Sequence, residues 1–250
     1  MKRMVVIAAM EREVQPLLRG WQRTALSSGD QSWIAFEKDN QAVVISGIGK
    51  KNAEHAARAA VARYQPATLI SAGLAGALIR SLKAGSLVTP NVVVDADDGS
   101  EYRCAAVDGG MVGGGILVTA NEITGAEAKA KLVDHFHALI VDMEAAGVAK
   151  AAQEMQTGFR CVKAISDEAD FAMPPMAKFV DAAGNFQSGR FVAWAVLRPW
   201  QWARVIVLGR NSSKATRALC EWLEKNLCRN MPTEVVTLDR AELPDAVVRR

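Results

Sequence analysis

Short runs of apolar, mostly β-branched residues recur along this chain, and three of them stop on or just before a carboxylate. Phe159-Arg160-Cys161-Val162-Lys163-Ala164-Ile165 gives way to Ser166-Asp167, Met4 to Ala9 is followed by Glu13, and Ala138 to Val141 is followed by Glu144. Runs of that length read as buried strands, and helical segments alternate with them. The pattern predicts an α/β fold with a mixed, twisted sheet between helices. In open α/β sheets, ligands bind outside the carboxyl ends of strands. The three carboxylates therefore stand where chemistry is expected.

The remaining elements follow from local signals. Glu11 to Arg19 starts a helix with acidic residues in its first turn, interrupted early by Pro16. Ser32 to Glu37 and Ala42 to Ser46 are strands around Asp39-Asn40, a hairpin turn. Lys51 to Tyr64 is Ala-rich and helical, and Thr68 to Ala72 is a strand ending in small residues. Ser86 to Asp95 reads as one strand before the turn-rich Asp97-Asp98-Gly99-Ser100. Glycines around Met111-Val112 mark a loop, Ile116 to Thr119 is a strand, and Glu127 to Phe136 and Glu144 to Glu154 are helices. With no repeat and no linker, the 250 residues are expected to form a single domain.

Composition excludes several functions. Half of the residues are hydrophobic, enough for a sizeable core, and the formal net charge is only +3. No Lys/Arg-rich run interleaves with aromatics, so no nucleic-acid partner is expected. Cys104, Cys161, Cys220 and Cys228 lack Cys-x-x-Cys spacing, and with His55, His135 and His137 they form no metal-binding pattern. Neither a metal nor a cofactor is expected, and the thiols read as reduced, in a cytoplasmic protein. The apolar start of the chain is broken at once by Glu11-Arg12-Glu13, so it reads as a buried first strand rather than a signal peptide.

The carboxyl-terminal region, about 171–230, is Trp-rich and helical. Phe191 to Leu208 holds Trp194, Trp200 and Trp202, with Arg198, Pro199 and Arg204 among them. A membrane span needs about 20 apolar residues, and the arginines and proline argue against one. Two readings remain: a pair of buried helices kinked at Pro199, or an apolar surface at 191–208 that meets lipid or a greasy substrate.

Five motifs occur in order: Ala9-Met10-Glu11-Arg12-Glu13-Val14, Ser46-Gly47-Ile48-Gly49-Lys50, Ser71-Ala72-Gly73-Leu74-Ala75-Gly76, Val141-Asp142-Met143-Glu144-Ala145 and Ala164-Ile165-Ser166-Asp167-Glu168-Ala169-Asp170. Together they resemble the nucleoside phosphorylase superfamily, on the side of the 5'-methylthioadenosine/S-adenosylhomocysteine nucleosidases, over roughly residues 1–170. The resemblance implies a nucleoside phosphorylase-like three-layer fold, a homo-oligomer, and cleavage of the N-glycosidic bond of a purine nucleoside. That reaction needs an acid for the leaving base, stabilisation of a cationic sugar and a nucleophile from the opposite face.

By resemblance, Asp167 is the general acid for purine N7, and Ser166 orients it. A carboxyl group at a dry strand end is expected to carry a proton near neutrality. Glu144 accepts from the ribose hydroxyls, Met143 packs on the ribose, and Glu13 is the base for the attacking water. Met10 fixes the register of that first loop, and Gly73, Leu74, Ala75 and Gly76 form a tight turn whose amides approach the ligand. Asn121 and Ile123 fall in the base-binding segment. Taken alone, Asp167 reads sooner as the cap of the turn after it and Glu144 as a first-turn helix residue, while Glu11-Arg12 reads equally as a solvated turn.

Departures from the resemblance narrow the substrate. Leu74 stands where nucleosidases of this kind carry Ser, and Ser71 where phosphorylases carry an Arg for phosphate. Phosphate as a co-substrate would need Arg12, Lys50, Arg80 or Lys163. The segment 118–123 lacks the expected aromatic, and the short Asp95 to Gly115 implies an open 5' pocket. The stretch from Phe179 to Trp200 resembles the hopanoid-associated phosphorylase branch, which implies an adenosyl-hopane as substrate. The alternatives are a futalosine-type hydrolase and a purine-nucleoside-binding module without turnover.

Overall fold

The computed structural model describes residues 3–105, 112–122, 125–181 and 184–227. Among them run strands β1 (Met4–Ala8), β2 (Gln22–Ser28), β3 (Gln31–Lys38), β4 (Gln41–Ile45), β5 (Thr68–Ala77), β6 (Leu87–Thr89), β7 (Val92–Asp95), β8 (Glu101–Arg103), β9 (Val112–Gly113), β10 (Ile116–Thr119), β11 (Ile140–Asp142) and β12 (Gly158–Asp167). The helices are α1 (Glu11–Val14), α2 (Lys50–Tyr64), α3 (Ala126–Phe136), α4 (Ala145–Glu154), α5 (Ser188–Val196) and α6 (Trp202–Leu227). The main path of the sheet is β2-β3-β4-β1-β5-β11-β10-β7-β8, with β12 on β5 and β6, and β9 on β6.

The sheet is mixed, as expected. β1 runs parallel to β4 and β5, and β12 runs parallel to β5, whereas β11 meets β5 antiparallel. One edge of β5 changes partner. Thr68 to Ser71 pair with β1, and only Gly76 and Ala77 pair with β11. Between them, that edge of β5 is free of strand pairing at 72–75 among the described residues, while its other edge carries β12 along nearly its whole length. This is a crevice of the kind in which α/β sheets hold ligands.

Helices cover both faces. On one, α2 and α4 pack through small residues. Ala53, Ala56, Ala57 and Ala60 fall at helical spacing on the buried side of α2. Gly147 of α4 lets the two backbones meet, because a Cβ there would lie 2.1 Å from the Lys50 carbonyl oxygen. On the other face, α6 buries Ala215, Leu219 and Leu223 against Val162, Ala164 and Ile70. Each buried Leu contributes about 1.5–3 kcal/mol relative to exposure. A third cluster sets α3 against β7, β10 and β11 through Val94, Val118 and Val141. Helices on both faces of one sheet make the three layers.

Several expected elements differ. Ser86 to Asp95 is two strands, because Pro90 cannot donate to a ladder; β6 joins β12 and β7 joins β10. The first helix ends at Val14, before Pro16. Thr68 to Ala72 continues to Ala77. β2 was not anticipated, since its mostly exposed polar residues give no alternating signal. The largest correction concerns the kinked helices at the carboxyl-terminal end. They do bend at Pro199, but they are not buried: Trp200 is 70 % and Leu197 74 % exposed.

Candidate active site

The strand ends and the free edge of β5 face one cleft of about 170 Å³ that opens to solvent. Met10, Glu13, Leu74, Ala75, Gly76, Met143, Glu144, Ser166 and Asp167 all line it. Gly73 lies behind it: a Cβ there would come 3.1 Å from Glu13 Oε2 and 3.7 Å from Lys163 Nζ. Asn121 does not join them. It is exposed, and its amide donates to both carboxylate oxygens of Asp97, at 2.6 and 2.7 Å. Glu122 lines the cleft in its place. Ile123 lies outside the described residues.

One end of the cleft is an acidic cluster. Glu13 is buried, and its Oε2 has no hydrogen-bond partner among the described residues. Burial, and then the neighbouring Glu144, push it up to about 8, against the pull of Lys163, Arg12 and the Met10 backbone. Glu144 Oε1 accepts from the Gly49 N–H at 2.9 Å, and Oε2 from the Met143 N–H at 3.3 Å. Gly49 has φ +106°, a backbone that side chains disfavour, and this turns its N–H toward the carboxylate. Burial and then Asp142 push Glu144 up to about 7, opposed by Lys163 and these two N–H groups. Beneath both lies Asp142, fully buried, which accepts from Lys163 Nζ at 2.8 Å, Thr119 Oγ1 at 2.7 Å and the Ala145 N–H at 2.9 Å. Burial works against the Lys163 ammonium, but Asp142, with Cys161 and Glu144, more than offsets it and raises its pKa. Lys163 is thus shared among three carboxyl groups, and positive charge arriving from the cleft would favour ionisation of Glu13 and Glu144.

The other end is built on a bulge. The β12–β5 register shifts between Ile165 and Asp167, which sets Asp167 opposite Gly76. Ser166 Oγ lies 2.8 Å from Asp167 Oδ1. Lys129 of α3, itself buried, places Nζ 2.5 Å from Asp167 Oδ2 and 3.0 Å from the Glu168 carbonyl oxygen. Asp167 is therefore buried at a strand end, as expected, and is also half of an ion pair that the sequence did not suggest. Gly76 is required here, because a Cβ would sit 2.9 Å from Asp167 Oδ2 and 3.2 Å from Lys129 Nζ.

Of the cations considered for phosphate, Lys50 is held by Asp95 and Asp97, and Lys163 by Asp142. Arg12 lines the cleft with its guanidinium 4.8 Å from the Phe186 ring centroid. Arg80 is exposed. The wall away from the sheet is apolar: Ile48, Met173, Met176, Phe186 and Leu208, with Ser212. Reading by motif missed these, together with Asp142 and Lys129. Among the described residues, no group of His, Cys, Asp and Glu is arranged to hold a metal ion, and no helix is long and apolar enough to cross a membrane.

Comparison with known proteins gives a consistent picture. The pattern of the phosphorylase superfamily matches residues 3–111 and 105–189. Similar proteins include a 5'-methylthioadenosine/S-adenosylhomocysteine nucleosidase of Lysinibacillus sphaericus, 25 % identical over 197 residues, covering 66 % of this chain and 86 % of that one. Its Bacillus subtilis counterpart is 28 % identical over 205 residues, covering 66 % and 85 %. The fold is shared with the Neisseria meningitidis nucleosidase of that name, solved with methylthio-immucillin-A, at TM-score 0.65 and 21 % identity over 90 % of this chain and 100 % of that chain. It is also shared with the Helicobacter pylori futalosine hydrolase, at TM-score 0.64 and 17 % identity over 90 % and 98 %.

Proposed function

The chain belongs to the phosphorylase superfamily, and from its cleft we propose that it cleaves the N-glycosidic bond of an adenine nucleoside that carries a large 5' substituent. The observation that carries this reading is the pair of poles in one cleft: the Glu13–Glu144–Asp142 cluster at one end, and Asp167 with Lys129 at the other. The sugar becomes cationic as the bond to the base breaks, and the acidic cluster is the place for that charge. Glu144 accepts from the ribose hydroxyls, and Met143 packs on the ring.

The bonding electrons leave with the base, which takes a proton at N7 from Asp167. The Lys129 ammonium, on the Asp167 oxygen beside Gly76, is the source of that proton. Water attacks C1' and gives its proton to Glu13. Glu13 accepts that proton in its ionised form, so with its carboxyl raised to about 8 the water-attack step should speed up as pH rises toward 8. Hydrolysis is favoured over phosphorolysis because Lys50 and Lys163 are already paired, which leaves Arg12 as the cation lining the cleft. No cofactor is needed for these steps.

The 5' substituent is read from the wall. Met173, Met176, Phe186 and Leu208 form an apolar exit, beyond which the exposed apolar residues of α5 and α6 begin. That favours a long apolar group, as in an adenosyl-hopane, over the acidic group of futalosine. Free adenine should appear from 5'-methylthioadenosine without phosphate, with the free 5-substituted ribose as co-product. A sugar 1-phosphate formed only when phosphate is added would make the protein a phosphorylase. Tight nucleoside binding with no adenine released would make it a binding module.

A further inference from the structure

We propose that the face formed by α5 and the first half of α6 docks on an anionic lipid bilayer. Residues 182–220 carry six cations, Arg190, Arg198, Arg204, Arg210, Lys214 and Arg217, and no Asp or Glu. Over the same stretch Val192, Val196, Leu197, Trp200, Trp202 and Ile206 are exposed. Large contiguous exposed apolar surface marks an interaction site. Apolar residues and aromatics flanked only by cations are what an anionic membrane surface attracts.

The patch is held in place rather than loosely attached. Trp202 Nε1 donates to the Ala195 carbonyl oxygen at 2.9 Å and ties α6 to the end of α5 across the bend at Pro199. Its one polar atom is thereby satisfied, while the indole remains half exposed. Beneath, Phe191 and Trp194 pack with Phe179, and Phe191 with Phe186. On α6, Trp202, Ile206, Arg210 and Arg217 fall at helical spacing on one stripe. Ile206, Arg210, Lys214 and Arg217 line a hollow on that stripe that suits an anionic headgroup.

A second copy of the chain fits less well. A two-fold contact brings each patch against itself, and so sets six cations against six. A transmembrane arrangement is not available either, since none of the described helices is apolar enough. In-plane docking uses both properties of the surface. It also brings the cleft close to the lipid boundary, because Leu208 and Ser212, two and six residues beyond Ile206 and on the other side of α6, line that cleft. Docking stands apart from the nucleoside reading. If both hold, the apolar 5' group is drawn directly from the leaflet.

The test is co-sedimentation of the full chain with phosphatidylcholine vesicles, with and without phosphatidylglycerol, at low and high salt. Expected is binding to the anionic vesicles only, falling about tenfold or more at high salt, with no competition from soluble glycerol phosphate. Two double variants, Trp200→Ser with Trp202→Ser and Arg204→Gln with Arg210→Gln, should each lose binding by a similar factor. Both should release adenine from 5'-methylthioadenosine as the parent does and melt at the same temperature. Equal binding to neutral vesicles, or none to anionic ones, overturns the proposal. So does a dimer that the tryptophan variant converts to monomers, since the face would then be an interface between copies. Adenine release is read without vesicles, so failure of docking and failure of the nucleoside reading are separate results.

Discussion

Glu13 and Asp167 invite comparison because burial treats them alike: each is 4 % exposed and stands at or past the end of a strand that pairs with β5. Their surroundings differ. Glu13 Oε2 has no donor among the described residues, and a second carboxyl group, Glu144, lies nearby. Asp167 has a hydroxyl on one oxygen and an ammonium on the other. Depth in the fold does not decide the state of a buried carboxyl group; the donors around it do. The same sheet can therefore offer a proton acceptor at one end of a cleft and a charge-paired donor at the other.

The comparison can be broken most severely at Lys163. It is the one cation shared by Asp142, Glu13 and Glu144, and its side chain and that of Asp142 are 2 % and 0 % exposed. Removing one partner of a buried pair typically costs about 3–5 kcal/mol. Lys163→Met should lose roughly that much in chemical denaturation, with adenine release falling in step with the folded fraction. A loss under about 1 kcal/mol would mean that the cluster is well solvated and the acidic pole ordinary.

The roles come next. Asp167→Asn keeps the shape but removes the proton, so turnover should drop about 10²-fold or more while nucleoside binding persists. Glu13→Gln should lower turnover by a similar order, and the two differ in which partner is activated. A substrate analogue with a leaving group that needs no protonation should rescue Asp167→Asn and not Glu13→Gln. Rescue of both, or of neither, would erase the distinction between the poles.

Stability against pH separates the same two positions. Glu13 is raised from 4.5 to about 8 in the folded protein. Between those values the folded form keeps a proton that the unfolded chain has lost, so stability falls as pH rises through that window. Glu144 adds a similar loss between 4.5 and about 7. Melting temperatures of Glu13→Gln and the parent should converge near pH 4.5, with the variant a few degrees more stable above pH 8. A gap that stays constant with pH would show that Glu13 is ionised throughout.

What was legible in the chain follows the same division. Glu13, Glu144 and Asp167 could be found because an apolar run that stops on an acid is a local signal. Their partners could not. Lys163 interrupts a strand and reads as an ordinary polar position, and Lys129 sits between Glu127 and Lys131 in a helix that reads as solvated, yet both are buried against carboxylates distant in sequence. Asn121 was drawn toward the base by its place in a motif, but Asp97, brought in by a separate turn, takes its amide. The apolar tryptophan segment suggested burial, although exposed apolar residues are common and only their clustering is informative. Pro90 was visible, but its division of one apolar run between two neighbours of the sheet is a tertiary choice.

The finest test asks how far Lys129 reaches. Its ammonium is donor-only, and it lies on the oxygen of Asp167 that faces Gly76 and the cleft. A protonated Asp167 can donate to N7 while its other oxygen accepts from a 6-amino group, which favours adenine over a 6-oxo base. A donor beside that oxygen works against this preference, since it suits a 6-oxo group and opposes an amino group. Lys129→Met should therefore shift the ratio of kcat/KM for adenosine over inosine upward, by roughly the 1–3 kcal/mol of a mismatched buried hydrogen bond. Turnover of both nucleosides should also fall, because the source of the Asp167 proton is gone, but the ratio is free of that common loss. An unchanged ratio would place Lys129 wholly behind Asp167, and inosine outrunning adenosine in the parent would reverse the assignment of the base.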